Sequence, residues 1–594
     1  MKSALFRSVL TVSAIVFAAL FLSPVLCVAL DVTSETLISR IPESATAVTY
    51  IPDVKDFGNY KKWSPIYNYI FVEEYGGVKL TPEGERLLER FERWIKMPAR
   101  DLLAVFSGEA ALWVEVNEFS KKGVSFGAAF VTDQSARLKA VFEDNFLNNR
   151  DYVECQPAGA GDYSYSVSYK FPNGFVPGSK DFLKGGFAIG ITSSEVFLAS
   201  DGQYLKKIHD YSSSAREKEP AFKTHLLSLK NTDAMGLFID ISRVYELAVK
   251  TADNAEASMA ASKSPRKGAE DDSKIFRDIL SILELKSLSD IRMQYRMEDS
   301  RVVANGAVTS AGRSGLLKLM GGGAKVSDIA SICPADSSTL IYLSFNFIEF
   351  FDLYEKLMEK APPMVKTQYF MGKTAVCAFL GMKIREDLMG MFDGDAIFIT
   401  KMLSTKDDPI LSLPTVILKL KNSRTAEKIV ARLSEKGLLG EFEEKEMLGA
   451  KYYSLKKPIA GAFSLTFCVT GGYFVFSTYF DHFSAVMRLL QKPGDGIGAQ
   501  KKFTGAVADL PEKLSFFVYS DDEEVSDIYF RNAGIGKSAL KNDNPFFRQN
   551  ESRIDWARIK AHQAPSVFGI FIGDKGLEIK GVSNFKRDGA DSSN

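Results

Sequence analysis

The sequence predicts an α+β fold of two tandem homologous repeats, each a mostly antiparallel sheet packed with helices. Three observations predict it. The chain states the same pattern twice: Ile41–Ile51 returns as Cys333–Leu343, Arg100–Ala110 as Glu386–Ala396, Thr192–Ser200 as Thr470–Thr478, and Val302–Ala307 as Leu577–Val582. The order is the same in both copies, and the offset narrows only from 292 to 275 residues. Short β-branched and aromatic stretches outnumber amphipathic helical ones, without the strict strand–helix alternation of a parallel sheet.

The elements follow in order. Ala45–Ile51 and Thr339–Leu343 read as strands, each followed by an amphipathic helix, Lys55–Val72 and Phe347–Lys360. Thr81–Met97 reads as a helix capped by Thr81, with Pro82 at its first position and Glu83 and Glu85 near the positive end of its dipole. Leu87, Leu88, Phe91, Trp94 and Ile95 give it one apolar stripe. Val124–Thr132, Phe187–Ile191, Val196–Ser200, Met235–Asp240 and Ile291–Tyr295 then read as strands. Their counterparts are Thr415–Lys421, Ser464–Val469, Phe474–Thr478, Ser515–Tyr519 and Val567–Ile572. Helices Ser135–Phe142 and Arg424–Glu435 fall between some of them. Around a short helix in each copy, Asp101 and Asp387 read as N-caps and Gly108 and Gly394 as C′ glycines, with Phe106 and Phe392 as its anchors. The other reading of these positions is a repeated carboxylate site at Asp101/Glu109 and Asp387/Asp395. Gly306 and Gly581 read as bulge or close-packing positions in the last strands.

Composition sets the boundaries. Residues 1–29 read as a signal peptide: Lys2 and Arg7, the apolar run Val9–Leu22, Pro24, then the small residues of Cys27–Ala29. The alternative is an uncleaved anchor, since Ser8–Leu30 is 23 residues without a charge. Repeat 1 spans 32–310, with a segment at 251–274 that lacks apolar periodicity and reads as a disordered loop. Residues 311–325, with Gly321–Gly323, read as a flexible linker, 326–586 as repeat 2, and 587–594 as a disordered tail. A periplasmic or secreted location follows, or attachment to the inner membrane if the N-terminal helix stays uncleaved.

Lys plus Arg is 74 and Asp plus Glu is 74, with no basic block. A nucleic-acid partner is therefore not expected, and membrane contact is expected only through an uncleaved N-terminal segment. Cys155, Cys333, Cys377 and Cys468 remain after the signal, too scattered for a CxxC metal site; whether they pair as disulfides stays open.

No constellation of chemistry-bearing residues recurs in both copies. His209, His225, His482 and His562 lack metal-binding spacing and read as surface or partly buried residues. Ala533–Ser538 resembles a phosphate-binding loop but has Arg531 where the motif needs glycine. The Ser-x-x-Lys pairs Ser264/Lys267, Ser454/Lys457, Ser538/Lys541 and Ser583/Lys586 lack the companion motifs of an acylase. Asp240 and Asp521, paired between copies, read first as helix caps. No catalytic, metal or cofactor-binding residue is assigned, and no cofactor is expected. The 44 Phe and 22 Tyr concentrate in stretches such as Tyr342–Tyr354 and Tyr473–Phe483. They read as core, with an apolar ligand cleft as the alternative.

Pro42–Ile51 with Asp101–Ala110, and Pro334–Leu343 with Asp387–Ala396, resemble a set of exported bacterial proteins known only as a domain of unknown function, here in two copies. The resemblance implies an envelope location and no established activity. The expectation is a non-enzymatic exported protein with a binding or scaffold role toward an unknown protein partner. The alternatives are a carrier of a lipid or other hydrophobic ligand in an aromatic-lined cleft and, last, a hydrolase using Asp240 or Asp521.

Overall fold

The computed structural model describes residues 37–52, 108–116, 124–148, 153–171, 183–211, 221–229, 234–260, 277–403, 411–457, 465–525 and 561–586, less 162, 299, 438, 495 and 574; between 53 and 107 it describes only 86, 89 and 92. The signal segment, the Lys55–Val72 helix, Asp101, Phe106, residues 533–538 and the tail lie outside the described residues. Of Thr81–Met97, Arg86, Glu89 and Glu92 are described, and all three are helical. The fold is α+β with antiparallel sheet throughout. Contacts divide the described chain into two units: residues up to 248 with 290–298, and residues 249–289 with 300–586.

The first unit contains β1 (Ala47–Ile51), β2 (Ala110–Val116), β3 (Val124–Val131), β4 (Val153–Pro157), β5 (Ser164–Phe171), β6 (Leu183–Ile191), β7 (Glu195–Ala199), β8 (Ala234–Asp240) and β9 (Leu288–Glu298). Across the sheet they run β9–β8–β1–β2–β3–β7–β6–β5–β4. Its helices are α1 (Ser135–Phe142), α2 (Gly202–Tyr211), α3 (Ala221–Leu227) and the start of α4 (Ile241–Ala260). Alternate residues of β1 and β2, Val48, Tyr50, Ala111 and Trp113, enter a core closed by Tyr204, Leu205 and Ile208 of α2 and by Phe222 and Leu226 of α3. That is the two-residue period of a strand meeting the i, i+1, i+4 stripe of a helix.

In the second unit stand β10 (Arg301–Ser310), β11 (Ala324–Lys325), β12 (Thr339–Ser344), β13 (Phe392–Leu403), β14 (Leu411–Leu420), β15 (Phe442–Met447), β16 (Ala450–Leu455), β17 (Thr466–Thr470), β18 (Tyr473–Ser477), β19 (Lys513–Leu514), β20 (Phe516–Ser520), β21 (Gln563–Gly573) and β22 (Gly576–Phe585). The main sheet runs β10–β22–β21–β20–β12–β13–β14–β18–β17–β16–β15. β11 and β19 form a separate pair. The helices are α5 (Val326–Ser331), α6 (Phe347–Lys360), α7 (Pro363–Leu380), α8 (Ser423–Glu435), α9 (Phe480–Gln491) and α10 (Lys501–Val507). Leu340, Tyr342, Ile397, Ile399 and Phe517 of the sheet pack on Phe483 and Val486 of α9 and Phe503 of α10.

Three local expectations are corrected. The segment expected to be disordered from residue 251 is helical to Ala260, because Thr251–Ala260 is alanine-rich and free of Gly and Pro; 261–274 lies outside the described residues. The glycine-rich stretch 321–323 is bound to the second unit. Gly321 donates to the Ser344 carbonyl at 2.7 Å, and Ala324 pairs with Leu514. Asp387 is not an N-cap. The helical turn begins at Ile384, and Asp387 Oδ2 reaches back to accept from the Lys383 amide at 2.8 Å. Gly394 accordingly sits within β13, at φ 107° beside the register shift between Phe392 and Ala396. A Cβ there would lie 2.8 Å from the Phe345 carbonyl oxygen.

Candidate functional site

Three features of the described residues bring polar or apolar groups together in a way that packing alone does not require. The first is a buried tyrosine opposite a carboxylate. Tyr342 on β12 donates to Asp395 Oδ1 on β13 at 2.6 Å. Burial, then this carboxylate, pushes the phenol far above its ordinary value. Lys419 pairs with Asp393 at 2.8 Å and lies 3.5 Å from Asp395. In the first unit Tyr50 and Glu109 occupy the same diagonal of β1 and the chain entering β2. Burial and the Glu109 charge raise Tyr50 as well, but among the described residues its hydroxyl has no hydrogen-bond partner within range. Glu109 instead accepts from the Leu37 amide at 2.5 Å. Of the proposed carboxylate pairs, Asp387 accepts from the Lys383 amide while Asp395 accepts from Tyr342, so each carboxylate is engaged in a local contact.

Partly buried ion pairs stand at the ends of β2 and β13. Glu115, at the end of β2 and 4% exposed, meets Lys207 of α2 at 2.6 Å, and Lys207 also reaches Ser44 Oγ at 3.3 Å. At the end of β13 the charged residue is Lys401. It binds Glu524 at 2.8 Å and the Asp336 carbonyl at 2.8 Å. Asp336 further takes a contact of 3.2 Å from Nε2 of the buried His482, and that hydrogen bond holds its carboxyl below the ordinary value.

The second feature is a cavity of about 340 Å³ in the first unit. α1 brings Lys139 to its edge and α2 brings Leu205 and His209. The β6–β7 turn brings Ile191 and Ser193, and the β4–β5 turn brings Gly161 and Tyr163. Ile191, Phe197 and Leu205 are buried and form an apolar floor. Lys139 Nζ lies 5.2 Å from the Tyr163 ring centroid, and Tyr163 Oη donates to the Lys139 carbonyl (3.1 Å) or Glu143 (3.2 Å). His209 Nδ1 faces Asp210 at 3.7 Å. Gly161 approaches the other ring nitrogen so closely that a Cβ would stand 3.3 Å from Nε2.

The third is α6–α7. Every residue of α7 is at least partly exposed. Met364 (71%) and Met371 (67%) are the most open, and Val365, Val376 and Phe379 join them. The polar and aromatic contacts lie between the helices. Lys373 pairs with Glu355 and sits 5.3 Å over the Phe351 ring, and Tyr369, pushed up to about 12 by burial and Glu355, donates to that same Glu355 at 3.2 Å. The aromatic stretch Tyr342–Tyr354 is thus only partly core, since Phe350 and Tyr354 are exposed. No helix among the described residues is long and apolar enough to cross a membrane.

The remaining candidates are accounted for locally. Asp240 Oδ1 accepts from the Arg243 amide at 3.0 Å and its other oxygen pairs with Arg243 at 3.3 Å. Asp521 Oδ1 accepts from Glu524 at 3.4 Å and Oδ2 meets Lys502. Both are helix caps. His482 and His562 are buried, against expectation: each is drawn in by a polar partner, Asp336 for the first and the Lys586 carbonyl (2.6 Å) for the second. His225 contacts the Met293 carbonyl at 3.3 Å. Ser454 faces Thr466, Ser583 faces Ser566, and Lys586 pairs with Glu523. Neither serine shown beside a Ser-x-x-Lys lysine bonds to it. Gly581 stands in unbroken register with its Cβ direction 3.4 Å from the Phe568 ring, a close-packing position. Gly306 lines a second cavity of about 270 Å³ with Phe571 and Glu578. Cys155, Cys333, Cys377 and Cys468 are free thiols. The cavity residues were missed because Lys139, Tyr163, Ser193 and His209 are scattered along 71 residues without motif spacing.

No family model matches the chain, and no curated protein matches it. Solved structures of TP0453 are similar to part of it. Crystal form III shares 10% identity at a TM-score of 0.23, over 47% of this chain and 80% of that one. Crystal form I shares 8% at a TM-score of 0.21, over the same shares. A likeness at these scores carries no argument about fold or function.

Proposed function

We propose that this is a non-enzymatic, exported binding protein of the cell envelope, built from two duplicated units, that docks through the α6–α7 hairpin onto a lipid–water interface. Duplication is supported by the matching strand orders and by paired details. Asp240 donates its amide to the Thr46 carbonyl at 2.8 Å, and Asp521 does the same to Ser338 at 2.9 Å. Envelope location rests on the N-terminal sequence.

The observation that carries the docking role is the outward face of α7. At about 100° per residue, Ala378, Met371, Met364, Ala375, Gln368, Phe379, Gly372, Val365 and Val376 fall in one continuous arc, with Gln368 its single polar member. Lys366 and Lys373 fall outside the arc, and α7 has no acidic residue. An apolar face of this extent on a protein surface marks an interaction site. The arc is a convex ridge, which a headgroup–acyl boundary accepts, and the absence of acids suits anionic lipid. A helix too short of apolar residues to span lies along such a boundary. Each of the five large exposed side chains contributes about 1 kcal/mol on burial.

The test is flotation of the chain beginning at Leu30 with vesicles of phosphatidylethanolamine and phosphatidylglycerol. The chain is expected to float with the vesicles, and Met371→Glu with Phe379→Glu is expected to leave it in the soluble fraction with unchanged thermal unfolding. A wild-type chain that stays off the vesicles overturns the reading.

A further inference from the structure

The cavity of the first unit has a polar edge on an apolar floor. Among the described residues, no carboxylate pairs with Lys139. Its contact is the Tyr163 ring. Of the acids described around it, Glu143 accepts from Tyr163 Oη and Asp210 faces His209 Nδ1. With Nδ1 directed at Asp210, His209 presents Nε2 on the side of Gly161, where the cavity lies. Ser193 adds a hydroxyl from the β6–β7 turn. That turn is held by Thr192, whose Oγ1 accepts from the Ser194 and Glu195 amides at 3.3 and 2.9 Å. An ammonium, an imidazole and a hydroxyl on one rim match a negatively charged head of one or two oxygens. Below these groups Ile191, Phe197 and Leu205 offer only carbon, and about 340 Å³ lies in the range of small-molecule sites.

We propose that this cavity binds a small organic anion with an apolar body, a monocarboxylate whose head meets Lys139, His209 and Ser193 and whose tail lies on Ile191, Phe197 and Leu205. The site belongs to the first unit. At the position the repeat pairs with His209 stands Met487, 1% exposed with its sulfur 3.3 Å from Cys468 Sγ, so the polar rim is not reproduced. The inference is independent of the docking hairpin, which lies in the other unit.

Decanoate is the probe, titrated calorimetrically into the full chain at pH 7.5. Saturable binding of one decanoate per chain is expected. Lys139→Gln is expected to weaken it about tenfold, the order of one charge-assisted hydrogen bond. Decanol, with the same tail and no charge, is expected to bind at least tenfold more weakly than decanoate. Ser193→Trp, which fills the mouth, is expected to abolish binding, while Lys206→Gln on the exposed side of α2 leaves it unchanged. Unaltered thermal unfolding separates lost binding from lost structure. The proposal is overturned by absence of saturable binding, by decanol binding as tightly as decanoate, or by Lys139→Gln and Lys206→Gln acting alike.

Discussion

Tyr342 donates its buried hydroxyl to Asp395 Oδ1 at 2.6 Å, whereas the hydroxyl of Tyr50 on β1, equally buried, has no hydrogen-bond partner in range among the described residues. A tyrosine opposite a carboxylate therefore does different energetic work in the two places. A hydrogen bond to a charged acceptor contributes about 1.5–3 kcal/mol, while a buried unsatisfied hydroxyl costs.

Tyr342→Phe is expected to destabilise the protein by about 1–2 kcal/mol in urea unfolding. Tyr50→Phe is expected to be neutral or slightly stabilising, since it removes an orphaned polar atom. Equal losses for both variants would show that the two tyrosines are energetically equivalent, against this geometry.

Burial lowers the His225 pKa from its ordinary 6.5, and the nearby Arg292 lowers it further, against the opposing pull of the Met293 carbonyl. The unfolded chain then binds the proton more readily than the folded one. Stability contributed by neutral His225 is present above pH 6.5 and is lost as pH falls from there toward the folded value. Urea midpoints recorded between pH 7.5 and 5.5 are expected to fall, and the slope is expected to shrink in His225→Gln.

Cys333 is fully buried and its thiol is raised well above the ordinary value. Burial pushes Cys468 up to about 12. Because the thiolate is the reactive form, iodoacetamide is expected to modify Cys377 first and Cys155 next in the native protein. Cys333 and Cys468 are expected to react only in denaturant. Peptide mapping of native labelling that finds Cys333 modified early would contradict the packing of α5 over it.

Gly394→Ala is expected to cost about 2–3 kcal/mol, combining a left-handed φ of 107° with a Cβ 2.8 Å from the Phe345 oxygen. Gly372→Ala, mid-helix on α7 with nothing within 4 Å, is expected to stabilise by about 0.5–1 kcal/mol. Thermal unfolding of the two variants side by side reads both signs.

Breaking the Glu115–Lys207 pair by Glu115→Ala is expected to destabilise by about 1–2 kcal/mol. The loss is moderated because the Lys207 end is 43% exposed and regains water. Lys207→Ala is expected to cost more, since it leaves the buried Glu115 carboxylate without its cation. Denaturant melts that rank the two the other way would place the stronger restraint on the Lys207 side.

The sequence by itself determined the α+β class and most element positions, because strand and helix periodicity, caps and breakers act over a few residues. Phe347–Lys360 and Ser135–Phe142 have the expected bounds, the first closed by the Asn346 cap on the Glu349 amide. The aspartates at 240 and 521 were legible as caps for the same reason. What only the tertiary structure decided is every relation between distant segments. Asp387 and Gly394 were misassigned because the start of the helical turn at Ile384 and the bulge in β13 depend on how β13 meets Phe345 and β14. The glycine-rich segment lost its freedom to Ser344 and Leu514, which no composition of residues 311–325 encodes. The cavity needs two helices and two turns brought together. The exposed face of α7 reverses the usual pattern, for an apolar helix reads as buried until its side chains are seen to be open. Side-chain period fixes which residues share a face, but only the packed chain fixes what, if anything, that face meets.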